Sequence, residues 1–486
     1  MARRLSQIVK QSVADDPMIT GVTADSRKVG PGVLFAALPG TKIDGASFIR
    51  AAIEAGAAAV LAAPSVQDLS VPLVTSQDVR RSYALAASAF WAEQPAVCVA
   101  VTGTNGKTSV ATFCRQIFQR LGYRAASMGT LGVTISDPFT GDQQITPPGL
   151  TTPDAADVAE LMAKVAAMGV THMALEASSH GIDQRRLDGV QLKAAGFLNL
   201  TRDHLDYHGD MASYGRAKMR LFETLLPRGG TAVLNADSDA SDLFAAAAVM
   251  AGQTVLSVGE QGQGLTLVER ALLPNGQRLI IRAGGQDHIV NLPLAGAFQA
   301  ANALAAAGLC IAAGEDVAAT LAALEHLKGA AGRLQLVGSK ASGGEVYVDY
   351  AHTPDGLQTV LEALRPHTVG RLIVVFGAGG DRDRTKRPLM GEIAARLADV
   401  AIVTDDNPRS EEPASIRAAI LAAAPGALEV GDRHLAIQQA VGLIGEGDVL
   451  VIAGKGHEQG QTMAGVVHPF DDVSEAAAAL GLEPVV

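Results

Sequence analysis

Residues 97–109 read VCVAVTGTNGKTS, six apolar or β-branched residues followed by Gly103, Thr104, Asn105, Gly106, Lys107, Thr108 and Ser109. A short, continuous apolar run with β-branched members predicts a strand buried on both faces. Beyond the loop, Val110, Phe113, Ile117 and Leu121 recur at helical spacing, and Gly122 stands where a helix stop is expected. A strand, a glycine turn and a helix bring backbone amides and a helix N-terminus to one point, which is what a phosphate group needs. Lys107 then suits the β- and γ-phosphates, and the Thr108 hydroxyl suits Mg²⁺. The spacing departs from the common phosphate loop, which has four residues between the first glycine and the Gly-Lys pair where this chain has two. The plain alternative is a tight strand–helix turn with an exposed lysine. Even a true phosphate loop serves kinases, ATPases and ligases alike.

Working outward, MALEAS (173–178), AAGFLNL (194–200) and TAVLN (231–235) read as further strands between helical stretches. This alternation predicts an α/β fold with a mostly parallel sheet. A second run of strands, VYVDY (346–350), RLIVVFG (371–377), VAIVT (400–404) and DVLVIAG (448–454), predicts another doubly wound, Rossmann-like unit. Ahead of both lie the PGVLFAAL run and an alanine-rich stretch near 50–63 that reads as helix. Three domains are expected: 1–95, a central nucleotide-binding domain over 96–330, and 331–486. The chemically loaded residues follow strands in both α/β blocks, and ligands of open α/β sheets bind at strand carboxyl ends.

Bulk properties agree with a multidomain globular protein. A chain of 486 residues exceeds one ordinary core, and 48% hydrophobic with 18% charged residues carries no disordered bias. A net charge of −11 argues against a broad nucleic-acid surface and leaves room only for a local basic pocket. No apolar run reaches the roughly 18 residues that a membrane span requires. MARRLSQIVKQSVADD lacks the apolar core of a secretory signal. Cys98, Cys114 and Cys310 show neither metal nor redox spacing, so a reducing cytoplasm and buried thiols are expected. A monomer is the expected state.

Glu176 closes one strand and is followed by Ala177-Ser178-Ser179-His180, while His204 lies in TRDHLD just past another. Carboxylate and imidazole at strand ends beside a nucleotide suit a second cation, although either residue alone is more often merely solvated. GTNGKTS, LEASSHG, NLTRDHLDYHG and DYAHTPD, in this order along the chain, resemble the Mur ligase family, which includes folylpolyglutamate synthases. The resemblance implies an ATP-dependent ligase that activates a carboxylate as an acyl phosphate and joins it to an amine. It implies that Gly103 to Ser109 bind ATP, with Lys107 and Thr108 at the phosphates and Mg²⁺, and with Glu176 and His204 at the second metal. It further implies that Lys218 carries a CO₂-derived carbamate that positions the metal ions near the γ-phosphate, and that Asn302, Asp349 and His352 surround the adenine and ribose. Without the resemblance, Lys218 reads as an exposed helical lysine.

Three features select within the family. Ser26, in Asp25-Ser26-Arg27, resembles the UDP-binding domain of members acting on a UDP-N-acetylmuramoyl dipeptide. Thr151, Thr152, Ser178, Gln184 and Arg186 match residues that grip that substrate. Asp406-Asn407-Pro408-Arg409 resembles the signature of members selecting meso-diaminopimelate, with Arg382, Gly454 and Glu458 as further contacts. A forked arginine rewards the second carboxylate that distinguishes meso-diaminopimelate from lysine. Taken alone, the tetrad reads as a helix-entry turn with Asn407 as cap. The family usually has an acidic side chain where this chain has Gln335. His204, His352 and Asp349 remain alternatives for deprotonating the amine. The rival expectations are a folylpolyglutamate synthase and a catalytically silent nucleotide-binding relative.

Overall fold

A computed structural model describes residues 2–13, 15–40, 44–273 and 276–482. The chain divides into two compact units: Met1–Leu267, Arg282–Gln286 and Leu304–Ala323 form the first, and Val268–Ile281, Asp287–Ala303 and Leu324–Val486 the second.

The strand expected at 97–102 is Val97–Thr102, and the helix behind the loop is Lys107–Arg120, with Gly122 at φ +96° just beyond it. Val97–Thr102 runs parallel between His172–Glu176 and Ala194–Phe197. Ala125–Gly129 continues the sheet on one side, and Thr231–Asn235 and Thr254–Gly259 continue it on the other, all parallel. The strands Gly132–Asp137 and Gly141–Thr146 add an antiparallel edge beyond Ala125–Gly129. Glu176 pairs in register with Val101, so its carboxylate emerges at the sheet edge where the glycine loop begins.

A separate parallel sheet holds Gly21–Thr23, Val33–Ala36, Ala59–Ala62 and Leu73–Thr75. The alanine-rich stretch near 50–63 is therefore not one helix. A helix covers Ile49–Glu54 only, Gly56 at φ +102° ends it, and Ala59–Ala62 becomes a fully buried strand. Alanine's helix propensity yields here to ladder pairing on both sides of the strand. Helix Val79–Trp91 carries Tyr83, Ala87 and Phe90 into a core shared with Ala155 and Ala159 of helix Ala155–Ala167. Tyr83 donates to Asp154, the N-cap of that helix, at 2.5 Å, and thereby ties this sheet to the central layer.

The second unit contains a six-stranded sheet ordered Gln335–Ser339, Glu345–Asp349, Val449–Ala453, Leu372–Phe376, Val400–Val403, Leu428–Glu429. Only Gln335–Ser339 runs antiparallel to its neighbour. Alternate residues feed two cores. Val346, Val348, Ile373, Val375, Leu450 and Ile452 join one, and Tyr347, Val374, Phe376, Val403 and Val451 the other. Period-2 burial on both faces is the signature of a sheet covered by helices on each side. This is the doubly wound architecture expected.

On one covered face Arg433 and Asp472 form an ion pair at 2.7 Å with neither side chain exposed. Removing one partner strands a buried charge, which costs about 3–5 kcal/mol. Asp472→Ala should lose stability of that order in chemical denaturation, well beyond the effect of Arg4→Ala at the exposed Arg4–Asp16 pair.

Candidate active site

In the first unit the glycine loop turns at Gly106, whose φ of +90° favours a residue without Cβ and starts helix Lys107–Arg120. Lys107 folds back over the loop, and its Nζ donates to the carbonyls of Gly103 and Thr104, each at 2.8 Å. Lys218 reaches the same carbonyl: its Nζ donates to Gly103 O at 2.7 Å. Its side chain is 1% exposed, not the solvated lysine that the sequence alone suggests. Burial pushes the Lys218 ammonium well below the ordinary lysine range, and the neighbouring Lys107 charge adds to the shift while Asp203 opposes it. The Tyr214 ring lies 4.4 Å from Lys218 Nζ, and the Tyr214 hydroxyl donates to Thr104 at 3.3 Å.

Thr108 donates to Glu176 Oε2 at 2.9 Å, and both residues are buried. The Thr130 amide meets the other oxygen, Glu176 Oε1, at 2.9 Å. A Cβ on Gly129 would stand 2.0 Å from Glu176 Oε1, so only glycine leaves room for this carboxylate. Two hard oxygen donors, a hydroxyl and a carboxylate, beside a phosphate loop suit Mg²⁺. Among the described residues no three His, Cys, Asp or Glu side chains gather to hold a metal ion. His204 lies seven residues beyond the end of strand Ala194–Phe197, at φ +53° rather than directly after the strand. It sits 3.4 Å from Asp203, with its ring against those of His180 and Tyr214. His204 thus adjoins the residue beneath Lys218.

The expected dipeptide residues converge on the same sheet edge. Thr151 bonds Thr130 at 2.9 Å, and Thr152 donates to the Glu176 carbonyl at 2.9 Å and meets Ser178 at 3.0 Å. Arg186 donates to Thr152 O at 2.6 Å and to Gln184 Oε1 at 2.7 Å. Burial depresses the Arg186 guanidinium somewhat, which marks it as a partly desolvated cation. Ser26 begins a single 3₁₀ turn capped by Asp25, which Arg27 holds near a pKa of about 2.

In the second unit Asn302 is buried on helix Ala297–Ala313 and donates to Gln299 at 3.3 Å. Asp349 ends a strand and accepts the amides of Leu334 (2.6 Å) and Ala351 (2.8 Å). His352 Nδ1 lies 2.8 Å from Tyr350 O. Gln335, where the family usually has an acid, accepts the Gly332 amide at 2.8 Å and closes a turn.

The tetrad 406–409 does not enter a helix: the next one, Pro413–Leu421, is preceded by Glu412. Asn407 instead donates to Glu458 at 2.9 Å and accepts the Thr462 amide at 2.9 Å. Arg409 holds φ +54° through two backbone bonds, to Thr462 O and from Ala464 N, and its Nη1 donates to Gly380 O at 2.7 Å. Such backbone costs about 1–3 kcal/mol and persists only where its surroundings impose it. Gly454 at φ +124° leaves space for Asp406, whose Oδ2 a Cβ would approach to 2.5 Å; that oxygen is buried without a hydrogen-bond partner among the described residues. Pro408 is buried between Asn407 and Arg409, and Arg382 stands exposed ahead of helix Lys386–Leu397.

Sequence reasoning passed over Thr130, Gly129, Tyr214 and Lys455. Thr130 follows strand Ala125–Gly129 and was open to the strand-end rule; the others carry no local signal.

Fold and site together define a nucleotide-dependent α/β enzyme with a phosphate loop and an adjoining oxygen-donor pair. Family models for the Mur ligase catalytic domain, the Mur ligase middle domain and the Mur ligase glutamate ligase domain match residues 18–91, 101–310 and 332–456. Curated UDP-N-acetylmuramoyl-L-alanyl-D-glutamate–2,6-diaminopimelate ligases from Caulobacter vibrioides and Mesorhizobium japonicum are 70% and 54% identical to the chain. Their alignments cover 99% and 97% of both partners. A solved structure carrying that same ligase name is 34% identical, with a TM-score of 0.74 over 99% of each chain. A Mycobacterium tuberculosis folylpolyglutamate synthase, 19% identical with a TM-score of 0.62 over 84% of this chain and 96% of its own, shares the fold. The chain belongs to the Mur ligase family.

The Gly129 geometry makes a sharp test. Gly129→Ala should displace Glu176 and lower ATP turnover on the order of 100-fold. Circular dichroism should meanwhile show a folded protein, because Gly129 ends its strand.

Proposed function

We propose that this chain is an ATP-dependent, ADP-forming ligase that adds meso-diaminopimelate to the D-glutamyl γ-carboxylate of UDP-N-acetylmuramoyl-L-alanyl-D-glutamate, a step of peptidoglycan precursor synthesis. The observation carrying this reading is the tetrad geometry. Arg409 is held in a strained conformation by backbone bonds, beside an Asn407–Glu458 pair, in a relative of ligases whose names specify 2,6-diaminopimelate. No helix among the described residues is long and apolar enough to cross a membrane. We assign the enzyme to the cytoplasm, acting as a monomer, with the UDP-substrate domain over 1–95, the ATP-binding domain over 96–330 and the amino-acid domain over 331–486.

In this reading, Gly103 to Ser109 cradle the ATP phosphates, with Lys107 offsetting their charge. Asn302, Asp349 and His352 face the adenosine. Thr108 and Glu176, with His204, would hold Mg²⁺, which supplies positive charge beside the phosphates. Ser26, Thr151, Thr152, Ser178, Gln184 and Arg186 orient the muramoyl dipeptide. The D-glutamyl carboxylate attacks the γ-phosphorus, a P–O bond forms as the bond to ADP breaks, and an acyl phosphate results. Positioning and charge neutralisation account for most of such catalysis. The deprotonated amine of meso-diaminopimelate, bound through Asp406, Asn407, Arg409, Gly454, Glu458 and Arg382, then attacks the acyl carbon. The tetrahedral intermediate collapses to the amide and releases phosphate.

Lys218 suits a carbamate because carbamylation requires a neutral amine, and burial beside Lys107 favours the neutral form. Its nitrogen adds to CO₂, an N–C bond forms and a proton leaves to solvent. The product is an anion flanked by Lys107.

Three measurements test these assignments. Offered meso-diaminopimelate, lysine and ornithine side by side with ATP and the muramoyl dipeptide, the enzyme should form amide with meso-diaminopimelate in strong preference to the other two. Arg409→Lys should erode that preference by about tenfold or more, since lysine lacks paired donors. Phosphate release indifferent to the amine would count against a ligase. In ¹³C-bicarbonate buffer, a carbamate carbon resonance should appear in the wild-type NMR spectrum and vanish in Lys218→Arg.

A further inference from the structure

Lys455 lies in the run Gly454-Lys455-Gly456-His457-Glu458, and its side chain is wholly buried, at 0% exposure. A buried lysine needs a partner for every proton it carries. Lys455 has three: its Nζ donates to Asn407 Oδ1 at 3.3 Å, to Glu458 Oε2 at 3.3 Å and to Gly460 O at 2.5 Å. Two of these acceptors belong to the residues proposed to hold the amine donor. Asn407 Nδ2 donates to the same Glu458 oxygen at 2.9 Å, so both contacts fall on Oε2. Glu458 Oε1 receives no hydrogen bond from a described residue and is left for a ligand.

We infer that Lys455 is a positioning residue that sets the pocket's choice between zwitterionic and purely cationic amine donors. The inference rests on the diaminopimelate reading and deepens it. The far end of meso-diaminopimelate bears an ammonium and a carboxylate, whereas that of lysine bears an ammonium only. An uncompensated Glu458 would attract either. With Lys455 fixed against Oε2, the Glu458 charge is already largely balanced, and a lone ammonium gains little there. A ligand that also brings a carboxylate to Arg409 is still held at both groups. Lys455 thus turns a general ammonium site into one demanding the second charge, a rejection of the wrong ligand built into the pocket. It also locks the Asn407 amide, whose Oδ1 accepts both Lys455 and the Thr462 backbone.

Lys455→Met keeps much of the side-chain volume and removes the charge. In steady-state assays with each amine, the kcat/KM ratio of meso-diaminopimelate over lysine should fall about tenfold. KM for ATP and for the muramoyl dipeptide should stay at the wild-type values. In a Glu458→Gln background the same substitution should leave the ratio nearly unmoved, because its target is already gone. A purely structural role would lower both amines equally and keep the ratio, which would overturn the inference; so would an undiminished Lys455→Met effect in the Glu458→Gln background. If Lys455→Met does not fold, Lys455→Gln, which keeps an amide donor, is read the same way. Failure of both to fold would assign Lys455 to stability alone and overturn the inference. A wild-type enzyme without preference for meso-diaminopimelate would instead sink the underlying functional reading, so the two failures are distinguishable.

Discussion

Two lysines, Lys107 half-buried and Lys218 buried, bring their amines to one backbone carbonyl, that of Gly103. Like charges brought together under burial repel, and the more deeply buried amine yields its proton more easily. Several elements of the first unit build that meeting. Strand Val97–Thr102 delivers Gly103 to the edge of the sheet. The turn at Gly106 returns Lys107 over the loop. Helix Met211–Arg220 presents Lys218 above the Tyr214 ring, while Tyr214 itself grips Thr104 in the same loop. The oxygen donors Thr108 and Glu176 are held at the next strand end by the parallel register of His172–Glu176 against Val97–Thr102.

The dipeptide-binding candidates extend that edge rather than forming a separate patch. Thr152 bonds the carbonyl of Glu176 while its backbone accepts Arg186, and Ser178 is tied to both Thr152 and the start of helix Ser179–Asp183. The residues proposed to grip the dipeptide and the carboxylate proposed to hold a metal therefore share one hydrogen-bonded network. Displacement of either is transmitted to the other, since such networks act as units.

In the second unit the proposed amine-donor site is held together largely by backbone bonds. The hairpin of Gly460–Met463 and Val466–Pro469 accepts and donates at Arg409, and Gln461 holds the carbonyls of Asp405 and Asp406. A left-handed residue bonded to a hairpin has little backbone freedom, and the bond from its guanidinium to Gly380 O restrains the side chain as well, which would aim it in advance at the amine donor proposed above. Such preorganisation lowers the entropic cost of binding. Glycines at 379 and 454 supply the space that Arg409 and Asp406 occupy.

Strand periodicity, the glycine loop and the order of the motifs sufficed from sequence for the α/β class, the strand–loop–helix unit around Gly103 to Ser109, the family and the strand-end location of Glu176, Asp349 and Gly454. These are local signals: burial on both faces leaves continuous apolar runs, and a phosphate turn demands particular residues at particular offsets. The helix read across residues 50–63 failed because alanine's local preference is weaker than strand pairing. The burial of Lys218, the exclusion of any side chain at Gly129, the turn of Arg409 and the threefold partnership of Lys455 were decided by tertiary structure alone. Each depends on atoms far away in the chain, such as Gly103 for Lys218, Glu176 for Gly129 and the 460–469 hairpin for Arg409, and no local pattern encodes which distant group will arrive.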